Sequence, residues 1–186
     1  MNLLSIKLTA CLFLVLPVSG AVNIGGIELP ESHGDLKLQG AGLLRKGFIF
    51  KVYAGALYLQ DTRHAKRILS EIPKRLDIHY FHNTPKKHMI GVANKTLKQN
   101  LTDREYEALL PKISLLHDAF LDGKKGSCAS IIYRPGEGLT YLFDNRHIIT
   151  IASDDFANAY FSIWLGENPS SRTMKEALLG EMKENP

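Results

Sequence analysis

Hydrophobic positions along the chain fall into short blocks whose period changes. The segment from Phe48 to Leu59 is the most apolar stretch after the first twenty residues. Its even positions are Phe48, Phe50, Val52, Ala54, Ala56 and Tyr58, and its odd positions include Ile49, Tyr53, Gly55, Leu57 and Leu59. Both faces are largely apolar, which predicts a central strand covered on two sides. Upstream, residues 22–29 and 35–44 read as short strands separated by a turn from Pro30 to Gly34. Downstream, Thr62 can cap a short helix carrying Ala65, Ile68 and Leu69, and Pro73 stops it. Leu76, Ile78 and Tyr80 then alternate as a strand.

The period next becomes helical. Thr84 followed by Pro85 reads as a helix start, with a capping hydroxyl and a proline at the first helical position. That helix should run to about Asn100, with Met89, Val92, Ala93, Thr96, Leu97 and Asn100 on one side. Thr102 and Glu105 form a capping-box signature for a second helix, whose apolar side is Leu109, Leu110, Ile113, Leu116 and Phe120. Pro111 should kink or divide it, and Asp122-Gly123 should end it. Strand alternation returns in Ala129-Ile131-Tyr133, Leu139-Tyr141-Phe143 and Ile149-Ile151, separated by turn-forming residues, which predicts an antiparallel meander. A helix opening at Asp154 or Asp155 and ending at Gly166, and a last one from about Ser171 to Leu179, complete the pattern. The sum is an α+β domain with an antiparallel sheet.

Composition adds bounds. Apolar residues make up 45% and charged residues 23%, ordinary for a globular chain. The first residues place Lys7 before an apolar run, Leu8 to Leu16, followed by Pro17 and the small residues Ser19, Gly20 and Ala21. This order predicts a cleaved secretory signal over 1–20, a domain over 21–186 and a periplasmic location. The run is about half a bilayer span, so no integral membrane segment is expected. Leu8-Thr9-Ala10-Cys11 has lipobox letters, but no apolar stretch of signal length precedes the cysteine. Cleavage leaves about 165 residues, enough for one core. Loss of Lys7 lowers the net charge from +4 to +3, too weak and dispersed for a nucleic-acid partner. Cys128 then stands alone without a disulfide partner, in a strand-like context that suggests a buried, inert thiol.

Candidate chemistry is sparse. His79, His82 and His88 invite a metal reading, but on a strand His79 and His82 point to opposite faces, and no ligand pair supports them. Surface histidines, no metal and no cofactor are the expectation. Gly40-Ala41-Gly42 has the wrong context for a phosphate loop. Asp154-Asp155 suits a helix N-terminus. Arg45, between this glycine-rich stretch and the apolar strand, has two readings. It could hold a carboxylate through its paired donors, or it could be a rim residue with its head in water.

Gly40-Ala41-Gly42, Arg45 and Phe50-Lys51-Val52-Tyr53-Ala54 leading to Leu57-Tyr58-Leu59 resemble the opening strands of the chalcone isomerase-like family. Ile163-Trp164-Leu165-Gly166-Glu167-Asn168-Pro169, then Lys175-Glu176-Ala177-Leu178-Leu179-Gly180, resemble the end of its bacterial exported branch. The resemblance covers roughly residues 23–180. It implies an open-faced β-sandwich: a large antiparallel sheet, a layer of helices on one face and a ligand cleft between them. It also implies candidate ligand-binding positions: Arg45 near the family's arginine, Tyr53 at a strand threonine, Ala93 at a tyrosine, Asn100 at an asparagine and Ile163 at a late-helix hydroxyl position. With hydroxyls missing at Ala93 and Ile163, transition-state stabilisation is reduced and no catalytic residue is assigned. The expected function is therefore non-catalytic binding of a small apolar acid, such as a fatty acid, with Arg45 at the inner end of the cleft. The alternatives are an intramolecular lyase of altered substrate and an interaction protein with a filled cleft. No protein partner is indicated.

Overall fold

The computed structural model describes residues 21–47, 50–61 and 67–181. The leader, Phe48 and Ile49, and the first residues of the helix expected from Thr62 lie outside them. Two strands, β1 (Val22–Ile24) and β2 (Ile27–Leu29), form a hairpin. The main sheet has seven antiparallel strands in chain order: β3 (Ser32–His33), β4 (Leu36–Lys46), β5 (Phe50–Leu59), β6 (Lys74–Tyr80), β7 (Cys128–Arg134), β8 (Gly138–Phe143) and β9 (Arg146–Ile151). Between β6 and β7 come α1 (Lys86–Asn100) and α2 (Asp103–Ala119), and after β9 come α3 (Asp154–Leu165) and α4 (Arg172–Leu179).

The alternation of each strand sorts its residues into two cores. Leu57, Leu59, Leu76, Ile78, Ile131 and Tyr141 face the helices and join the main core with Leu97, Leu116, Phe156 and Leu178. Ala56 and Tyr58, from the opposite side of β5, form a smaller core with Leu29 and Leu36 beneath the β1–β2 hairpin. β5 is thus covered on both sides, as its two apolar faces require.

Local chemistry accounts for the helix ends. Thr102 and Glu105 make the expected capping box at α2. The cap of α3 is Ser153, whose hydroxyl accepts from the Phe156 amide, rather than either aspartate. Ser171 caps α4, and Gly180 closes it at φ 72°. Three expectations are corrected. Thr84 does not cap α1: its hydroxyl donates to the His82 carbonyl, and Asp122 accepts from the Lys86 amide instead. Pro111 does not divide α2, which continues from Asp103 to Ala119, because the helix tolerates one missing donor at an exposed position. α2 also ends before Asp122-Gly123, and that segment pairs with Thr84 through two backbone hydrogen bonds of 2.8 and 2.9 Å.

The Gly40-Ala41-Gly42 stretch lets α4 approach β4. A Cβ at Gly42 would stand 2.5 Å from the Ala177 Cβ, and one at Gly40 would meet the Ala177 and Leu178 carbonyl oxygens. Gln39 adds a hydrogen bond of 2.7 Å to the Leu179 carbonyl. Lys74 is the least expected core residue. It is 0% exposed, and its ammonium donates to Ile68 O, Ser70 O and Asn158 Oδ1 at 2.8, 2.8 and 3.0 Å while lying over the Tyr133 and Phe161 rings. Burial pushes it down to about 7.

Candidate functional site: an apolar cavity under the helices

A cavity of about 580 Å³ opens between the helix-facing side of the sheet and α1 and α3. Small-molecule sites occupy roughly 300–1,000 Å³, so this volume suits a ligand. The sheet contributes Tyr53, Ile78, Tyr80, Ala129, Ile131 and Tyr141. The helices contribute Met89, Val92, Ala93, Tyr160, Ile163 and Trp164. Lys46, Phe50, His82 and His88 line its exposed end, where the Phe50 and His82 rings stack at 4.3 Å.

Two of the tyrosine hydroxyls lining the interior are hydrogen-bonded to protein. Tyr80 donates to Met89 Sδ, and Tyr160 pairs with His117 Nε2 at 3.1 Å. Burial pushes the Tyr53 and Tyr141 hydroxyls up to about 12, and those of Tyr80 and Tyr160 well above the usual range, so all four stay neutral at physiological pH. The interior therefore presents hydrocarbon, ring edges and neutral hydroxyls, of which those of Tyr80 and Tyr160 are already hydrogen-bonded. Among the described lining residues, the ionisable nitrogen groups are Lys46, His82 and His88, all exposed.

Three of the residues singled out from the sequence come together here: Tyr53, Ala93 and Ile163 line the cavity. Arg45 and Asn100 do not, and their candidacy as lining residues is corrected. Between Leu44 and Arg45 the β4–β5 register slips: Leu44 pairs with Tyr53 but Arg45 with Lys51, leaving Val52 as the extra residue of a bulge. Leu44 and Lys46 face the cavity, and Arg45 between them is exposed beside Lys51, whose ammonium reaches the Gly25 carbonyl in the β1–β2 turn. Arg45 thus takes the rim reading, on the opposite side of the sheet. Asn100 instead locks the chain after α3. Its amide donates to Thr96 O and Asn168 O at 2.9 and 2.8 Å, and its oxygen accepts from the Asn168 amide at 2.9 Å.

Sequence reasoning missed Lys46 and the placement of His82 and His88 at the cavity mouth. A signal for Lys46 existed, since it follows Arg45 and must face the other way in an extended strand. Which of the two faces the cavity is decided by a bulge on β4 itself, at Gln39: Leu36 and Leu38 before it and Ala41 after it pack on the hairpin side, so the even positions that follow, Leu44 and Lys46, face the cavity.

The geometry can be compared with known proteins. No curated protein matches the chain. Among solved structures, it is similar to the crystal structure of a fatty-acid binding protein from Arabidopsis thaliana, with a TM-score of 0.65 and 17% identity over 83% of this chain and 92% of that one. At that identity the likeness is one of fold. The chalcone isomerase-like family model matches residues 21–180. Sheet order, the single helical layer and this match over nearly all the described residues agree: the chain belongs to the chalcone isomerase-like family.

Proposed function

We propose that the protein is a non-catalytic binding protein for a small apolar carboxylate, held with its hydrocarbon tail in the cavity and its head at the mouth near Lys46, His82 and His88. One observation carries this: among the described lining residues the interior offers apolar walls with neutral tyrosine hydroxyls and no charged group, while the cationic groups stand at the exposed end. An unpaired carboxylate buried among these walls would be strongly disfavoured, whereas at the mouth it keeps water and gains Lys46. The fold shared with a plant fatty-acid binding protein supports the same ligand class.

Two features favour binding over ring-closing lyase chemistry. Arg45 lies outside the cavity, and Ala93 and Ile163 offer no hydroxyl to a developing enolate. The open cavity favours binding over a cleft filled by its own side chains: Tyr53 and Met89 line it without closing it. The leader-like residues 1–20 support uptake of the ligand outside the cytoplasm.

Trp164 is the chain's one tryptophan and lines the cavity, so its fluorescence reports occupancy directly. Titration with saturated fatty acids of increasing length should give a saturable change. Each methylene buried is worth about 0.8 kcal/mol, so shortening the chain by two should weaken binding about fifteenfold until the tail no longer fills the cavity. Absence of any saturable change with every acid in the series would refute the assignment.

A further inference from the structure

The face of the sheet turned away from the helices carries a polar cluster that the cavity does not use. β6 places Arg75, Asp77 and His79 on that side, and β7 places Ser130 and Cys128 there, because Asp77 pairs with Ser130 and His79 with Cys128. Cys128 Sγ lies 3.7 Å from His79 Nε2. Donor atoms of Asp77, His79 and Cys128 all lie within 4.8 Å of one another. A tetrahedral ion bound at the usual zinc distances needs ligand atoms about 3.3–3.8 Å apart. The sulfur–nitrogen pair already has that spacing, and the carboxylate needs at most about an ångström of side-chain adjustment. From these placements we propose that Asp77, His79 and Cys128 bind a divalent transition metal of the zinc type.

Three further features fit. The Tyr58 hydroxyl, on the same face and across from Arg75, is fully buried yet lacks a hydrogen-bond partner. A buried hydroxyl is costly to desolvate unless it is paired, and a metal-bound water supplies an O–H donor that the Tyr58 oxygen can accept. His33 Nε2 stands 3.0 Å from Asp77 Oδ2, at the edge of the cluster, which makes it a candidate fourth ligand. Arg75 donates to Asp77 Oδ1 at 2.7 Å and to Ser130 Oγ at 3.0 Å, so it fixes the carboxylate from behind, as outer partners of metal ligands do.

The charge balance is workable. Binding replaces the Cys128 thiol proton with the metal and releases that proton to solvent. Thiolate and carboxylate, set against the Arg75 guanidinium, leave one net negative charge for a dication to meet. A thiolate and an imidazole select zinc-like ions over magnesium or calcium. Both residues are half buried, and the cross-strand ladder holds their backbones in place, so the site is pre-organised and still reachable.

The test uses chelator-treated protein titrated with Co²⁺, followed by displacement with Zn²⁺. Expected are one Co²⁺ per chain, visible bands of tetrahedral cobalt and a near-ultraviolet thiolate-to-cobalt band, all lost on adding Zn²⁺. Cys128→Ser should abolish the thiolate band, and His79→Gln should weaken cobalt binding about a hundredfold. Thermal unfolding of each variant confirms that the fold survives, without the burden of altering Asp77. The proposal is overturned if wild type shows no thiolate band. It is equally overturned if folded Cys128→Ser binds cobalt as wild type does, which would mark adventitious binding at other histidines.

Discussion

Moving one methyl group across the α4–β4 interface tests the account of the glycine-rich stretch. In the native packing the Ala177 methyl occupies the space above Gly42, where a second Cβ would lie 2.5 Å away. Carbon atoms pack best at about 3.5–4.0 Å, so Gly42→Ala forces α4 outward by about an ångström. Such overpacking costs roughly 1–3 kcal/mol. Ala177→Gly alone removes a buried methyl, worth about 0.8 kcal/mol, and puts glycine in a helix, costing about 1 kcal/mol more. If the two changes acted independently, the double variant would lose about 3–5 kcal/mol, a large part of a typical domain's stability. If the interface reading is right, the methyl on β4 fills the space left by Ala177, and only the helix-propensity cost of about 1 kcal/mol remains. Gly42 does not have a positive φ, so alanine meets no backbone strain there. Urea unfolding of the four proteins, followed by Trp164 fluorescence and far-ultraviolet circular dichroism, measures the coupling. The expected value is about 2–4 kcal/mol in favour of the double variant. Simple additivity would show that α4 does not rest on Gly42 and would refute the argument.

Other consequences are equally direct. Burial holds His117 down to about 4 against an ordinary 6.5, so the unfolded chain binds the extra proton between those values. Stability should fall as pH drops from about 6.5 to about 4 and gain no further loss from this residue below that; His117→Gln should flatten that part of a pH series of urea midpoints. Lys46→Ala should weaken binding of a long-chain acid about tenfold while leaving the matching alcohol unaffected, and Arg45→Ala should change neither. Equal acid affinity in wild type and Lys46→Ala would remove Lys46 from the mouth. Asn100→Ala should cost about 2 kcal/mol in unfolding experiments, through the loss of its three hydrogen bonds, without changing ligand affinity. N-terminal sequencing of exported protein should give Ala21 or Val22, and a lipidated start at Cys11 would contradict the leader reading.

Much of the fold was legible because the signals are local. Period-two alternation at Leu76-Ile78-Tyr80 and in the three strands after Ser127, the capping box at Thr102 and Glu105, and the doubly apolar strand before Leu59 each state their element without reference to the rest of the chain. The resemblance to the chalcone isomerase-like family, carried by the motifs at both ends, then supplied the arrangement of those elements. What the sequence could not decide depends on pairing. The bulge at Gln39, where Leu38 pairs with Tyr58 but Gly40 with Leu57, exchanges the faces of β4 and turns Lys46 rather than Arg45 to the cavity, and no property of either side chain encodes that slip. Lys74 is buried because backbone carbonyls and Asn158, 84 positions away, converge on it. The cluster at Asp77 was hidden for the same reason: along the chain His79 and His82 diverge, whereas across the ladder His79 meets Cys128. Periodicity fixes which way a side chain points relative to its own strand, but only register between strands decides what it meets.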